Sequence, residues 1–328
     1  MKLRRLGEFG LIERIRGNVT QGSGVRLGIG DDAAWVTNPS RSSLVTADLL
    51  IENVHFKLKW TSLVDLGFKS LAVNLSDIAA MGGTPAYAIV SLGIPVNFDS
   101  KAIDEFYRGV YELARPSRVS VVGGDTSIAR ALIVSVCLIG HAPQRPIRRS
   151  GAAAGDDIYV TGTLGDSALG LKLLHRGKMK QKSDAAAALL ARHRRPIPRL
   201  TVGVILGKQR LATAMIDISD GLVQDLRHIC RASSVGAVIE AERLPLSTEY
   251  RALAGKGERW TALTGGEDYE LLFCSRPTNR NAVAKVSEKT NLPITRIGRC
   301  VAGNAVAVLD SSGKKLALKS SGYDHFTK

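Results

Sequence analysis

Aromatic residues make up only 5% of this 328-residue chain, so there is little surface on which the bases of a single-stranded nucleic acid could stack. Cysteine is as sparse. Cys137, Cys230, Cys274 and Cys300 stand far apart, which excludes a CxxC metal site and a disulfide-stapled scaffold and points to reduced thiols in a cytoplasm. No run reaches the ~18 apolar residues of a membrane span, and a glutamate interrupts the basic start MKLRRLGEFGLIERI before a signal core can form. A soluble protein with no membrane partner is expected. Neither a GxxxxGKS/T loop nor an HRD or DFG set is present, so the chain is not a P-loop nucleotidase or a protein kinase.

Acidic residues are also in the minority, 30 against 45 Lys and Arg, for a net charge of +15. Basic clusters lie at 2–5, 145–149 and 192–199. A nucleic-acid-binding protein is the alternative that this charge allows, but no RNA-binding signature accompanies it, and solvated basic loops that also help to hold anionic ligands account for it. No nucleic acid is therefore expected as a partner. What the chain does contain is 45% apolar residues and 33 glycines, the composition of a globular protein, at a length that suggests two domains.

Strand and helix patterns alternate throughout, which argues α/β architecture. LGIGDDAAWV and SSLVTADLLI read as two strands around a turn. In SLVDLGFKSLAVNLSDIAAMGGTP, Ser62 is the expected helix cap and Gly82, Gly83 and Pro85 the stop. Leu71, Leu75 and Ile78 recur at helical spacing toward a core, and Ser70, Asn74 and Asp77 form a polar stripe beside them. The Pro-, Gly- and Arg-rich stretch 142–156 marks a boundary, giving an N-terminal domain over 1–146 and a C-terminal one over 147–328. The second half repeats strand, Gly turn and helix, first with Asp166 or Ser167 as the expected cap and then at AMIDISDGL.

In so basic a chain the aspartates fall in a few motifs. Asp31 and Asp32 follow Gly30 in a turn; Asp48 is expected to end a strand; Asp77 lies near a helix end; Asp125 closes a strand after Gly123 and Gly124. Asp217 lies in a strand, with Ser219 and Asp220 at a helix start. Each alone suits a turn or cap. Together, buried like charges require cations, and oxygen donors without paired His or Cys select a hard ion, Mg²⁺ before Zn²⁺. Carboxylate-held metal beside Gly turns suits a phosphate substrate.

LGIGDDAA, LVTADLLIENVHF, KSLAVNLSDIAAMGGTP, VVGGDTS, IRRSGAAAGDDIYVTGTLGDSALGL, IDISDGLVQDL, GGEDYEL and GYDHF, in this order over nearly the whole chain, resemble the thiamine-monophosphate kinase family. That family belongs to a wider ATP-using group with aminoimidazole ribonucleotide synthetase, selenophosphate synthetase and a hydrogenase-maturation protein. The early Cys or selenocysteine of the second and the terminal Cys of the third are missing here, so an ATP-dependent synthetase of the group is the lesser alternative. The resemblance implies a two-domain α/β fold like that of aminoimidazole ribonucleotide synthetase, each half a mixed sheet with packed helices, a homodimer formed through the N-terminal sheets, and transfer of the ATP γ-phosphate to thiamine monophosphate, the last step to thiamine diphosphate. It further implies that Asp32, Thr46, Asp48, Asp77, Asp125, Asp217 and Asp220 bind several Mg²⁺ ions, that Gly124, Asp125, Arg149 and Ser219 contact ATP, and that His55, Glu267 and Tyr323 contact thiamine monophosphate. Where the family commonly carries a hydroxyl, this chain has Ala47.

Overall fold

The computed structural model describes residues 25–37, 42–176, 183–255, 258, 260–318 and 322–323, with Gly10, Ile12 and Glu13. The basic segment 2–5, the turn at 38–40 and the closing residues after Tyr323 lie outside the described residues. Among the described residues, two mixed six-stranded sheets carry the fold. The first runs β1 (Val25–Leu27), β2 (Ala34–Thr37), β3 (Ser42–Ile51), β6 (Ile133–His141), β4 (Thr84–Ile94) and β5 (Ser120–Ile128), with only β4 and β5 parallel. The second runs β12 (Val306–Leu309), β9 (Gly236–Glu240), β11 (Ile294–Val301), β7 (Asp157–Thr161), β10 (Leu271–Ser275) and β8 (Ala214–Asp217), with only β12 and β9 parallel. Among the described residues no helix is long and apolar enough to cross a membrane.

Helix α1 (Leu63–Ala80) joins the two halves. The Ser62 hydroxyl accepts the Asp65 N–H at 3.1 Å and so supplies the expected cap. Gly82, in the left-handed region at φ 70°, ends the helix. Leu71, Leu75 and Ile78 are fully buried against the first sheet, each worth about 1.5–3 kcal/mol of removal from water. Ala79 and Ala80 on another side pack into a cluster with Val202, Leu206 and Met215 of the second half. A helix covered on both sides keeps its polar stripe inside, and Ser70 and Asn74 are buried.

Four local expectations are corrected. The first strand is split, because the Gly-Asp-Asp turn interrupts it between β1 and β2. Asp48 does not end β3: pairing with β6 continues from Asp48↔Val136 to Ile51↔Ile133. Asp125 does not close β5, which runs on to Ile128 beside β4, because the β-branched residues after it keep the ladder going. Gly165, not Asp166 or Ser167, caps the helix α3 (Asp166–His175), and the Asp166 carboxylate instead accepts from Thr163 and Ser247.

Helix α2 (Ser100–Ala114) crosses α1 at two glycines. A Cβ on Gly67 would land on the Phe106 carbonyl, and one on Gly109 on the Val64 carbonyl. Both neighbours are backbone, so neither can step aside. Gly109→Ala is expected to destabilise the fold by about 1–3 kcal/mol, read as a lower urea midpoint at unchanged slope.

Candidate active site

The turn before β2, the middle of β3, the last turn of α1 and the end of β8 converge between the two sheets. There, ligand oxygens of Asp32, Asp77 and Asp217 lie within 4.8 Å of one another. Asp32 and Asp217 are buried, and Asp77 between them is partly exposed. Strand alternation brings Thr46 and Asp48 to the same side, since Leu44, Thr46 and Leu50 are buried while Ala47 and Leu49 face outward. The Thr46 hydroxyl donates to Asp77 Oδ2 at 2.5 Å, and the Asp48 N–H donates to Asn74 Oδ1 at 3.2 Å. Ala47 points away from the carboxylates, so its missing hydroxyl takes nothing from Asp77.

Crowding shows in the protonation chemistry. Burial, then Asp48, Asp217 and Asp32, push the Asp77 carboxyl well above the ordinary carboxylate range. Burial and then Asp32 do the same to Asp217, against the pull of the nearby Ser76 hydroxyl and Arg149. Burial raises Asp48 to about 6, and burial with Asp32 raises Asp31 to about 7. Ser76 Oγ makes no hydrogen bond of ordinary geometry, and buried Asp217 Oδ2 has no partner either.

Among the described residues, Arg149 is the cation that meets the cluster. Its Nε and Nη2 donate to the two oxygens of Asp32 at 3.1 and 3.3 Å, and its backbone N–H donates to Asp31. One guanidinium does not balance this many carboxylates. Oxygen-only donors, an orphaned buried oxygen and uncompensated charge fit a hard divalent ion such as Mg²⁺.

Ser219 and Asp220 sit between β8 and helix α6 (Leu222–Ser233), counting α4 (Asp184–Arg194) and α5 (Leu200–Lys208) before it. Buried Asp225, missed in the sequence, accepts the Asp220 and Gly221 N–H groups at 3.2 and 3.0 Å and pins this turn. Its place in the first turn of a helix was the available signal. The Asp220 carbonyl accepts the Tyr323 N–H at 3.1 Å, and the Ser219 carbonyl accepts that of Glu267 at 2.7 Å. Glu267 stands at φ 66°, one oxygen 2.7 Å from Lys69 Nζ and the other 3.1 Å from His193 Nδ1. Burial alone would raise its pKa, but Lys69 and His193 together hold it well below the ordinary range. A lysine among the apolar residues of α1 was a usable signal, because buried lysine needs a partner; His193, inside a basic run, carried none. His55 Nδ1 accepts the Ile51 N–H at 3.0 Å, placing the ring proton on Nε2. His55 and Tyr323 line one pocket of about 240 Å³ with Trp60, Lys69 and His193.

Gly124 and Asp125 stand apart from this site. Asp48 lies in a row with Val136, Val90 and Gly124 across the sheet, and Asp125 lies in the next row with Leu49, Ser135 and Ser91. Three strand steps of ~4.8 Å put Asp125 about 14 Å from Asp48, and alternation sends it to the opposite face. It is exposed on edge strand β5.

Comparison with known proteins places this arrangement. Residues 30–142 match the N-terminal domain of the AIR synthase related proteins and residues 153–311 their C-terminal domain. Thiamine-monophosphate kinase of Bacillus subtilis is 37% identical over 98% of this chain and 100% of its own length. That of Escherichia coli K12 is 40% identical over 98% of each. A solved structure of AaThiL complexed with AMPPCP and TMP superposes with a TM-score of 0.86 at 38% identity, covering 99% of both chains. The hydrogenase maturation protein HypE in complex with ATP, 17% identical with a TM-score of 0.69 over 98% of this chain and 99% of its own, shares the fold.

The raised carboxylates bind protons in the folded state that the unfolded chain has already released, so their contribution to stability is full at low pH and is lost as pH rises through the folded pKa values. In EDTA the melting temperature should therefore fall between about pH 4 and pH 7, the window between the ordinary carboxylate value of 3.8 and the raised values of about 6 for Asp48 and about 7 for Asp31. Asp77→Asn should flatten that fall. A melting profile flat with pH in the metal-free wild type would contradict the crowding described.

Proposed function

This chain belongs to the thiamine-monophosphate kinase family, and we propose that it performs the family's reaction by direct in-line transfer of the ATP γ-phosphate, assisted by Mg²⁺ at the aspartate cluster. It is an ATP-dependent kinase whose acceptor is thiamine monophosphate and whose product is thiamine diphosphate. The observation that carries the mechanistic reading is the buried group of Asp32, Asp77 and Asp217 with its orphaned oxygen.

The acceptor is a phosphate monoester with a second pKa near ~6, so it arrives largely as a dianion and needs no general base. No catalytic base is assigned. The barrier is repulsion between two polyanions, about 1 kcal/mol per unit pair at 4 Å in water and more in a drier site. Asp32, Asp48, Asp77 and Asp217, with Asp220 beside them, would hold Mg²⁺, which when bound screens the phosphoryl oxygens of donor and acceptor. Thr46 orients Asp77 by its hydrogen bond. Arg149, forked on Asp32, and Ser219 at the adjoining turn are placed to contact donor phosphates. His55, Glu267 and Tyr323 face the acceptor. In this reading 1–146 carries the metal and donor residues and 147–328 completes the site.

Gly124 and Asp125 enter through a second copy of the chain. The face of the first sheet that carries Asp125 also exposes Leu49, Tyr87 and Ile89, an apolar surface that a homodimer would cover. Asp125 of one copy then reaches the site of the other. A cytoplasmic setting suits an ATP-consuming enzyme with four free cysteines.

Incubation with ATP and Mg²⁺ should convert thiamine monophosphate to thiamine diphosphate and leave free thiamine untouched, because an alcohol acceptor would need a base; equal turnover of both would overturn the mechanism. Co-expression of Asp77→Asn with Asp125→Asn tests the shared site. Each variant alone should be at least ~100-fold slower, while random mixing should restore about a quarter of wild-type activity, since half the dimers would contain one intact site. No recovery would place Asp125 in the site of its own chain.

A further inference from the structure

We propose that Trp60 and Arg194 recognise the heterocyclic end of the acceptor, Trp60 as the face for its cationic ring and Arg194 as hydrogen-bond donor to a ring nitrogen; the inference rests on the reaction proposed above. Helix α1 sets the position. Asp77 belongs to the metal cluster, whereas Lys69 and Leu66 of the same helix line the pocket with His55, Trp60, Arg194 and Tyr323. Eight and eleven residues of helix separate them from Asp77, about 12 and 16 Å at 1.5 Å per residue. An acceptor with its phosphate at the carboxylates therefore extends its rings into this pocket.

Among the described residues, the pocket lining contains Lys57, Lys69 and Arg194 and no carboxylate. Glu267 nearby is already engaged by Lys69 and His193. A ring bearing fixed positive charge must find its counterpart elsewhere, and the indole face of Trp60 supplies one. That face already attracts cations: the Lys57 and Lys59 ammonium groups stand 4.6 and 5.1 Å from its centroid. Both are strongly hydrated groups on flexible stems that can swing into water, whereas a flat, weakly hydrated heterocycle gains contact area by replacing them. The ring is held for this purpose. His175 meets it edge-on with centroids 4.5 Å apart, and Trp60 packs against the core of the second half.

Arg194 adds a polar contact. Its Nε is buried and has no hydrogen-bond partner, and a buried donor without an acceptor is unfavourable until one arrives. At the end of the acceptor far from its phosphate, the acceptor atoms available are the neutral ring nitrogens of the aminopyrimidine.

The test uses the full chain with Mg²⁺ and a non-hydrolysable ATP analogue, titrated with thiamine monophosphate while tryptophan fluorescence is recorded, together with steady-state kinetics. Wild type should be quenched; Trp60→Phe should lose most of the quench although Trp35 and Trp260 remain, and should keep KM within about threefold because an aromatic face is retained. Trp60→Leu should raise KM for thiamine monophosphate at least ~10-fold, with kcat and KM for ATP within about twofold. Arg194→Lys should raise the same KM about 10-fold and leave turnover of hydroxyethylthiazole phosphate, which lacks the pyrimidine, unchanged. A quench that persists in Trp60→Phe, an unchanged KM in Trp60→Leu, or an equal effect of Arg194→Lys on both acceptors would overturn the assignment. Quenching of wild type by thiamine monophosphate without any turnover in ATP would overturn the reaction and leave the recognition standing.

Discussion

Helix α1 is buried on two sides, and its last turns carry a carboxylate. The first sheet covers Leu71, Leu75 and Ile78, and the second half covers Ala79 and Ala80. Asp77 is therefore held at the junction, where it meets Asp32 from the turn before β2 and Asp217 from the end of β8. The two halves are joined across a point of electrostatic repulsion, which a bound cation would relieve.

The surrounding polar groups follow from that constraint. Thr46 donates to Asp77, and the neutral Asn74 amide accepts from the backbone N–H of Asp48. Arg149, in the segment joining the halves, forks onto Asp32 while its backbone holds Asp31. The same helix carries Lys69 two turns away to Glu267, so one rigid element relates the carboxylate cluster to the pocket lined by His55, Trp60 and Tyr323. In the proposed reaction, rigid spacing of this kind favours the alignment that transfer between two phosphates needs.

Much of this was legible in local patterns. Ser62, the Gly-Gly stop and the 3.6-residue spacing specified α1 and placed Asp77 near its end, since helix caps and periodicity act within a few residues. The motif order was enough to identify the family and its reaction. Local reading failed where a neighbouring strand decided the outcome: Asp48 and Asp125 looked like strand ends because Asp and Gly usually stop strands, yet pairing with β6 and β4 carries both strands onward.

Sequence alone determined which carboxylates were available, which helix would present one of them, and the chemistry their oxygen donors select. Only the tertiary structure decided which of them meet. Strand order β3-β6-β4-β5 moves Asp125 away from Asp48 and, through the two-residue alternation, to the opposite face, while the packing of α1 against both halves brings Asp217 to Asp77. Alternation is a local property and can be read from residues, but strand order and the contact between two sheets depend on which distant surfaces bury each other, and no window of sequence contains both partners.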